Sequence, residues 1–345
     1  MKAVVYYEHG GPEVLKIADL PEPRPGPNDV VLAVKAAALN HLDVWVRRGL
    51  PNLKLDMPHV PGSDVAGVVA KLGSRVKGYR VGDRVTVNPG LSCGKCEFCR
   101  KGHESLCVDF KILGEHVQGT CAEFVKVPAR NLFRIPSKMR FEEASAAPLT
   151  FLTAWRMLAT RAGLKRGQDV LVHGAGSGVT IAAIQIAKHV GARVFVTSRD
   201  DRKLKRARQL GADVLINTTR ERFDEVVWRE TRKRGVDVVL DHVGPATWPQ
   251  SLRSLARDGK MIVCGATSGP TAQVDIRSLY WRQASIIGST MSSQEEFRDV
   301  MSLVVKKRLI PIIHEVMPMS RARKAHEILE RGEQFGKIVL VPQWK

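Results

Sequence analysis

The chain has 345 residues, of which 44% are hydrophobic, and a formal net charge of +19 at pH 7. This length exceeds what one hydrophobic core usually supports, so we expect two domains. No apolar run approaches the roughly 20 residues of a membrane-spanning helix, and the N-terminus lacks the basic start and apolar stretch of a signal peptide. The composition argues against a membrane protein and predicts a cytoplasmic location.

The positive charge is spread along the chain, with one concentration at residues 200–209, DDRKLKRARQ. Helical spacing would leave most of these side chains in water, so a solvated basic surface is the preferred interpretation. Binding of nucleic acid is the alternative from another functional class, and it is the less favoured one.

Three segments differ in pattern. Residues 1–148 carry short β-like runs punctuated by Gly and Pro, such as DVVLAVKAAA and GDRVTVNPG, which predict a compact β domain. Residues 149–288 alternate apolar strands with helices, the pattern of a doubly wound α/β domain with a parallel sheet. Residues 289–345 contain an amphipathic stretch and a closing strand, GKIVLVP, that could rejoin the first domain.

Four cysteines, Cys93, Cys96, Cys99 and Cys107, stand in a C-x2-C-x2-C-x7-C spacing. Four thiolates so placed can enclose one tetrahedral zinc ion and leave no open coordination position, so we predict a structural zinc. Disulfides are the competing interpretation, but a cytoplasmic chain favours metal. A nucleic-acid-binding zinc ribbon fits less well, because all four ligands come from one continuous loop. Cys121 and Cys264 lie outside this spacing and are interpreted as small buried residues.

The segment VLVHGAGSGVTIAAIQIAK places Gly174, Gly176 and Gly178 between an apolar strand and a helix. Glycines let the backbone approach a pyrophosphate, and the helix N-terminus offers free N–H groups. With a second strand, RVFVTS, following, the context predicts a Rossmann dinucleotide site rather than a simple turn.

The end of that second strand indicates which nicotinamide cofactor is used. Ser198 stands where an acidic residue would accept hydrogen bonds from the ribose of NAD, and Arg199 and Lys203 can attract the 2′-phosphate of NADP. We therefore predict NADP(H). The alternative is that Asp200 and Asp201 are turn and helix-cap residues and that NAD(H) binds.

Together these motifs resemble the medium-chain dehydrogenase/reductase superfamily, which includes zinc alcohol dehydrogenases and quinone reductases. The resemblance covers nearly the whole chain and rests on its opening segment, PHVPGSDVAGVV, GDRV, the four-cysteine loop and PLTFLTAW. It implies a GroES-like β-barrel-type domain completed by the C-terminal segment, a Rossmann domain, and an active site in the cleft between them. It also implies a homodimer or homotetramer joined through edge strands near residues 285–290.

The resemblance further implies a set of cofactor-binding residues, to which the Gly-rich loop and the end of the second strand contribute. The complete prediction comprises Thr153, Gly176, Ser177, Gly178, Val179, Thr180, Ser198, Arg199, Lys203, Gly265 and Ala266. Thr180 replaces a third glycine that is common in the family's loop, which implies slightly wider packing of the helix.

The chain departs from the family at the positions of the catalytic zinc ligands. Asn40, Ser63 and Leu149 stand there, and none is a normal zinc ligand, so we predict no catalytic zinc. The same exchange resembles the zinc-free quinone reductase branch, which generally lacks the four-cysteine loop. A rearranged metal site remains the alternative, and its candidate ligands are His41, His59, Asp64 and His116.

Without a metal, hydrogen-bond donors must stabilise the developing oxyanion during hydride transfer. Asn40 and Ser63 are the predicted donors, and His41 is the candidate for relaying a proton. Asp43 either orients His41 or ties down its loop. Trp45 either forms a wall of an apolar substrate pocket or packs in the core.

The predicted activity is NADP(H)-dependent hydride transfer between the cofactor and a carbonyl or alcohol carbon, as in ketone or aldehyde reduction, on a small apolar substrate. The alternatives are a quinone or enone reductase, a zinc-dependent alcohol dehydrogenase with atypical ligands and, most distantly, a nucleic-acid-binding protein on a dehydrogenase fold.

Overall fold

The structure, a computed structural model, describes residues 1–344 and divides into two compact units. The first unit comprises residues 1–150 and 292–344, and the second comprises residues 151–291. The boundaries predicted above lie within three residues of these. No helix among residues 1–344 combines the length and the apolar composition that a bilayer crossing requires.

The strands are β1 Lys2–Val5, β2 Lys16–Asp19, β3 Asp29–Ala38, β4 Asp64–Leu72, β5 Arg84–Val87, β6 Gly90–Leu91, β7 Lys111–Ile112, β8 Phe124–Pro128, β9 Leu132–Arg134, β10 Asp169–Val172, β11 Arg193–Ser198, β12 Val214–Asn217, β13 Val236–Asp241, β14 Leu255–Val263, β15 Ser285–Gly288, β16 Ile313–Pro318 and β17 Lys337–Val341.

The α-helices are α1 His41–Arg48, α2 Glu97–Arg100, α3 Phe141–Ser145, α4 Pro148–Trp155, α5 Gly178–Val190, α6 Asp201–Gln209, α7 Phe223–Glu230, α8 Trp248–Ser254, α9 Ile276–Arg282, α10 Gln294–Val305 and α11 Ala322–Glu330. A π-helical segment, Arg156–Ala162, continues α4. Short 3-10 turns cover Pro12–Val14, Glu104–Leu106, Ala129–Asn131 and Met319–Arg321.

The first unit is built on a mainly antiparallel sheet of order β16-β17-β3-β4-β5-β9, with β8 also paired to β3. Strand β17 pairs antiparallel with β3, with Val339 opposite Ala38. The C-terminal segment therefore completes the sheet of the first unit. Valines, leucines and isoleucines from these strands form its core, together with apolar residues of α11.

The second unit has a six-stranded parallel sheet of order β12-β11-β10-β13-β14-β15. Numbered within this unit, the order is 3-2-1-4-5-6, the arrangement of a Rossmann fold, in which ligands bind beyond the carboxyl ends of the strands. The residues of the inner strands β10, β11 and β13 are mostly buried, because helices cover a parallel sheet on both faces. The predicted fold class, a GroES-like domain with a doubly wound Rossmann domain, is confirmed.

Candidate active site

The four predicted zinc ligands come together in the loop between β6 and β7. Their sulfur atoms all lie within 4.8 Å of one another, and Cys93 Sγ is 3.9 Å from Cys99 Sγ. Four sulfurs about 2.3 Å from a tetrahedral zinc ion would be about 3.8 Å apart, so the arrangement fits the metal. Backbone N–H groups point at two of the sulfurs: Cys96 N lies 3.3 Å from Cys93 Sγ, and Cys93 N lies 3.2 Å from Cys107 Sγ.

Asn40, Asp64 and Lys337 form a buried polar cluster in the first unit. Lys337 Nζ donates to Asn40 Oδ1 and, over 2.9 Å, to Asp64 Oδ2. Asn40 Nδ2 donates to the same Asp64 oxygen over 2.9 Å, and the backbone N–H of Leu149 donates to Asp64 Oδ1 over 2.8 Å. The side chains are at most 5% exposed. Within this cluster Lys337 supplies the positive charge that a buried carboxylate requires.

The contacts of Asn40 limit what its amide can offer a substrate. Its oxygen accepts from Lys337, and one N–H group is committed to Asp64. The second N–H group has only a long contact of 3.5 Å with the carbonyl oxygen of Ala38. Asn40 is thus a weaker candidate for an oxyanion donor than its sequence position alone indicates.

Asp43 ties two loops together. Its Oδ2 accepts from the backbone N–H of Asn40 over 2.7 Å, which closes a capping box at the start of α1, and its Oδ1 accepts from the backbone N–H of Gly62 over 2.9 Å. Burial raises the pKa of this carboxyl to about 6, against the opposing effects of these N–H groups and Lys337. These contacts support the second of the two roles predicted for Asp43, which is to tie down its loop.

His41 and Trp45 are one turn apart on α1, so their side chains lie on the same face of the helix. Their ring centroids are 5.1 Å apart and the rings meet edge to face. Both side chains are half-buried, so Trp45 retains apolar surface that is not consumed by the core.

Ser63 lies between Gly62, which Asp43 holds, and Asp64 of the buried polar cluster. Its side chain is fully buried, and its hydroxyl has no hydrogen-bond partner among the described residues. An unpaired buried hydroxyl costs about 1–3 kcal/mol unless something else satisfies it. Ser63 is therefore an uncommitted donor close to the cluster.

The Gly-rich loop of the second unit runs from the end of β10 into α5. Gly174 has a φ of +71°, a conformation that favours glycine, and Ser177 caps α5 without a side-chain hydrogen bond to the helix. The first N–H groups of α5, from Gly178, Val179 and Thr180, are those that a helix leaves without internal acceptors. The loop thus offers the open N–H groups that a pyrophosphate needs.

The side chain of Thr180 is fully buried and its hydroxyl donates to the carbonyl oxygen of His173 at the end of β10. The threonine at the third-glycine position therefore bonds the helix to the strand. Thr153, on α4, is 7% exposed. Beyond β14, a Cβ on Gly265 would lie 3.0 Å from the carbonyl oxygen of His242, so this position accepts little more than glycine; Ala266 beside it is exposed.

The end of β11 carries free positive charge. Arg199 is exposed and no acidic group of the described residues pairs with it, whereas both neighbouring carboxylates are occupied. Asp200 caps α6 through the backbone N–H of Arg202, and Asp201 pairs with Arg220 over 2.5 Å. The Ser198 hydroxyl accepts from the backbone N–H of Asp200 over 3.1 Å. Arg199 is therefore an exposed cation beside Ser198 at the end of β11.

Two families of dehydrogenase domains match the chain. Residues 26–137 match the alcohol dehydrogenase GroES-like domain, and residues 178–306 match the zinc-binding dehydrogenase domain. A zinc-type alcohol dehydrogenase-like protein of Schizosaccharomyces pombe is 33% identical over 99% of both chains. Human quinone oxidoreductase is 29% identical over 99% of this chain and 98% of its own. A solved structure of an NAD-dependent alcohol dehydrogenase is 47% identical, with a TM-score of 0.96 over 99% of this chain and 100% of that one.

The chain belongs to the medium-chain dehydrogenase/reductase superfamily. It is an oxidoreductase of that superfamily, and the resemblance stated from its sequence is confirmed. Its four-cysteine loop groups side chains that could hold a metal ion.

Three of the four substitute ligands for a rearranged metal site have other partners in this dehydrogenase/reductase chain. His59 Nε2 lies 3.1 Å from the carbonyl oxygen of Gly114, His116 Nδ1 accepts from the backbone N–H of Ile112, and Asp64 holds Lys337. Within residues 1–344, only the four cysteines group three or more metal-binding side chains closely enough to share an ion.

Sequence reasoning missed Lys337 and the orphan hydroxyl of Thr150. Lys337 lies 297 residues from Asn40, and the only signal was a lysine that opens an apolar strand, KIVLV. Thr150 is 5% exposed and its hydroxyl, like that of Ser63, finds no partner in the described part of the chain. No sequence pattern marks such a residue.

Proposed function

We propose that this protein is an NADP(H)-dependent oxidoreductase that transfers hydride to or from a carbonyl or alcohol carbon, without a catalytic zinc and with one structural zinc. The observation that carries the proposal is the set of side chains at the three family positions for catalytic zinc. An amide, a hydroxyl and an apolar side chain stand at Asn40, Ser63 and Leu149, and the amide is held by Lys337 and Asp64. Such a set suits an uncharged substrate oxygen rather than a divalent metal.

Reduced nicotinamide, when bound, supplies the hydride that adds to the carbonyl carbon. The residues 176–180 of the Gly-rich loop and the α5 N-terminus would hold its pyrophosphate, while Ser198, Arg199 and Lys203 would hold the 2′-phosphate. Thr153, Gly265 and Ala266 are proposed at the nicotinamide end. Ser63, with Asn40 as a second candidate, donates a hydrogen bond to the substrate oxygen as charge develops there.

The product alcohol also needs a proton on its oxygen. His41, half-buried at the start of α1, is the proposed relay between that oxygen and solvent. Trp45 on the same helix face is the proposed apolar contact for the substrate. Asp43 is proposed to hold the loops of Asn40 and Ser63 in place through its two backbone contacts rather than to transfer protons.

Reduction of a quinone or an enone is the second candidate function. It is supported by the Asn and Ser at positions 40 and 63, which resemble the zinc-free quinone reductase branch, and by the similarity to a protein named quinone oxidoreductase. We propose a small apolar substrate and a cytoplasmic location in either case, without a nucleic-acid or membrane partner.

The test of the proposed function is oxidation of NADPH by the purified protein with ketones, aldehydes, quinones and enones. We expect turnover with a carbonyl compound, and Ser63→Ala should lower kcat about 10²-fold with an unchanged KM for NADPH, because it removes a transition-state donor. Ser105→Ala, which removes another buried and unpaired hydroxyl, is the matched control. Turnover of Ser63→Ala equal to that of Ser105→Ala would reject the role of Ser63, and no turnover with any substrate class would reject the proposed function.

Cofactor preference tests the contribution of Arg199. We expect the parent protein to prefer NADPH, and Arg199→Ala to raise the KM for NADPH about 10- to 100-fold with little effect on NADH, because a charge-assisted contact with a phosphate is lost. Arg202→Ala, which removes another exposed cation, one that pairs with Asp200, should leave the preference intact. NAD(H) stays the alternative, since a similar structure belongs to an NAD-dependent enzyme; an unchanged preference in Arg199→Ala would support it.

A second copy of the chain is the proposed partner of the β15 edge. This strand ends the parallel sheet, and the adjoining α9 exposes Ile276, Tyr280 and Trp281 by 59–72%. Such an apolar edge is a template for pairing with another chain. Sedimentation should give a dimer or tetramer that Trp281→Lys dissociates and that Val81→Lys, at an exposed site of the first unit, does not. A monomeric parent protein would contradict this assembly.

A further inference from the structure

A continuous chain of buried hydrogen bonds lies beside the Gly-rich loop. It joins the ends of β10, β11 and β13 through His173, Thr197, Ser251 and Asp241, each at most 4% exposed. His173 Nδ1 lies 3.0 Å from Thr197 Oγ1, and His173 Nε2 lies 2.9 Å from Ser251 Oγ. Because these side chains are shielded from water, the donor or acceptor role of each side chain depends on the role of the next one.

The direction of each hydrogen bond in this chain follows from its acidic end. Asp241 Oδ2 accepts from the hydroxyls of Thr247 and Ser251, over 2.7 and 2.9 Å. Ser251 has spent its only hydrogen there, so its contact with His173 Nε2 requires that the imidazole be the donor. Asp241 Oδ1 accepts from the backbone N–H groups of Val243 and Gly244, which fixes the turn after β13.

The Nδ1 side of the His173 ring faces Thr197, next to the proposed nucleotide site. Burial holds the pKa of His173 well below its usual value, so the ring is neutral and Nδ1 carries no hydrogen when Nε2 does. The Thr197 hydroxyl must then donate to Nδ1, and its own oxygen is left to accept from the backbone N–H of Gly174, 3.4 Å away. Thr197 directly precedes Ser198 and Arg199, and Gly174 begins the Gly-rich loop.

We infer that His173 is a positioning residue for the dinucleotide site: as a neutral Nε2–H tautomer it sets Thr197 and Gly174 relative to Asp241. The inference rests on the proposed function, because it gives the chain of hydrogen bonds a role in the affinity for the nicotinamide nucleotide. His173 touches neither cofactor nor substrate in this scheme. Its loss should therefore change the dissociation constant of the nucleotide and leave kcat at saturating nucleotide within about twofold.

Two amide replacements of His173 separate this role from a purely structural one. In His173→Asn, the amide oxygen can take the place of Nδ1 and accept from Thr197. In His173→Gln, the amide nitrogen can take the place of Nε2 and donate to Ser251, but Thr197 loses its acceptor. We expect His173→Gln to raise the Kd for NADPH about tenfold, and His173→Asn to raise it less than about threefold. The melting temperature should be lower for His173→Asn than for His173→Gln, the opposite of the order in affinity, because asparagine leaves the larger cavity.

Thr197→Val and Ser251→Ala repeat the test without altering the histidine. Thr197→Val removes the hydroxyl at nearly constant volume and should raise the Kd for NADPH about as much as His173→Gln. Ser251→Ala removes the acceptor that fixes the Nε2–H tautomer, so it should raise the Kd in the same direction. Binding is measured by nucleotide fluorescence titration, with kcat and the melting temperature taken on the same samples. Affinities that follow the order of melting temperatures, or that stay equal in all four variants, overturn the inference while the proposed function stands. A parent protein that binds neither NADPH nor NADH overturns the proposed function itself.

Discussion

Replacing Cys96 with Ser should release zinc from the four-cysteine loop and unfold it. The parent protein should contain about one zinc ion per chain, and the variant almost none, because the four sulfurs lie close enough together to hold one ion and a tetrahedral zinc site needs all four ligands. Metal binding and local folding are coupled in such loops, so we expect a loss of several kcal/mol in the free energy of unfolding. Elemental analysis and thermal melting measure the two effects on one preparation.

Cys264→Ala is the control for this experiment, because Cys264 lies in the second unit, outside the cluster. It should keep the zinc content of the parent. Two zinc ions per chain in the parent would contradict the proposal that no catalytic zinc is bound, and full zinc content in Cys96→Ser would contradict the proposed structural site.

Lys337→Met should destabilise the protein by about 3–5 kcal/mol, since it leaves the Asp64 carboxylate buried without its countercharge. The double variant Lys337→Met with Asp64→Asn should recover much of this loss, because no charge then remains in the cluster. Urea unfolding of the single and double variants measures the coupling between the two residues.

An exposed ion pair provides the matched comparison. Lys71 and Glu22 lie 2.7 Å apart with roughly half of each side chain exposed, so Lys71→Met should cost less than about 1 kcal/mol. Equal effects of Lys337→Met and Lys71→Met would show that the buried polar cluster is not the ion pair that its geometry indicates.

The Rossmann unit was predictable because each of its signals is local. Strands such as VLVH and RVFVTS are short runs without polar alternation, and the Gly-rich turn lies directly between a strand and a helix. Physical rules about neighbouring residues are enough for such segments. The four-cysteine loop was predictable for the same reason, because all its ligands fall within 15 consecutive residues.

The polar surroundings of the site were not predictable, because they depend on contacts between distant parts of the chain. Asn40 is a plausible donor by position, yet Lys337 and Asp64 take up its amide. His173 is separated from Ser251 by 78 residues, and its role depends on which of its nitrogens carries a hydrogen. Sequence patterns identify where a site lies, whereas the free donors within it follow from the tertiary packing.

The pairing of β17 with β3 has a consequence for the order in which the protein folds during synthesis. Residues 151–291 form a continuous unit and can fold as soon as they leave the ribosome, whereas β3 lacks one of its neighbours, β17, until residues 337–341 have been added. During that interval the carboxylate of Asp64 has no ammonium group beside it, because Lys337 arrives with β17. Nascent chains should therefore complete the second unit first and the first unit, which carries Ser63, last.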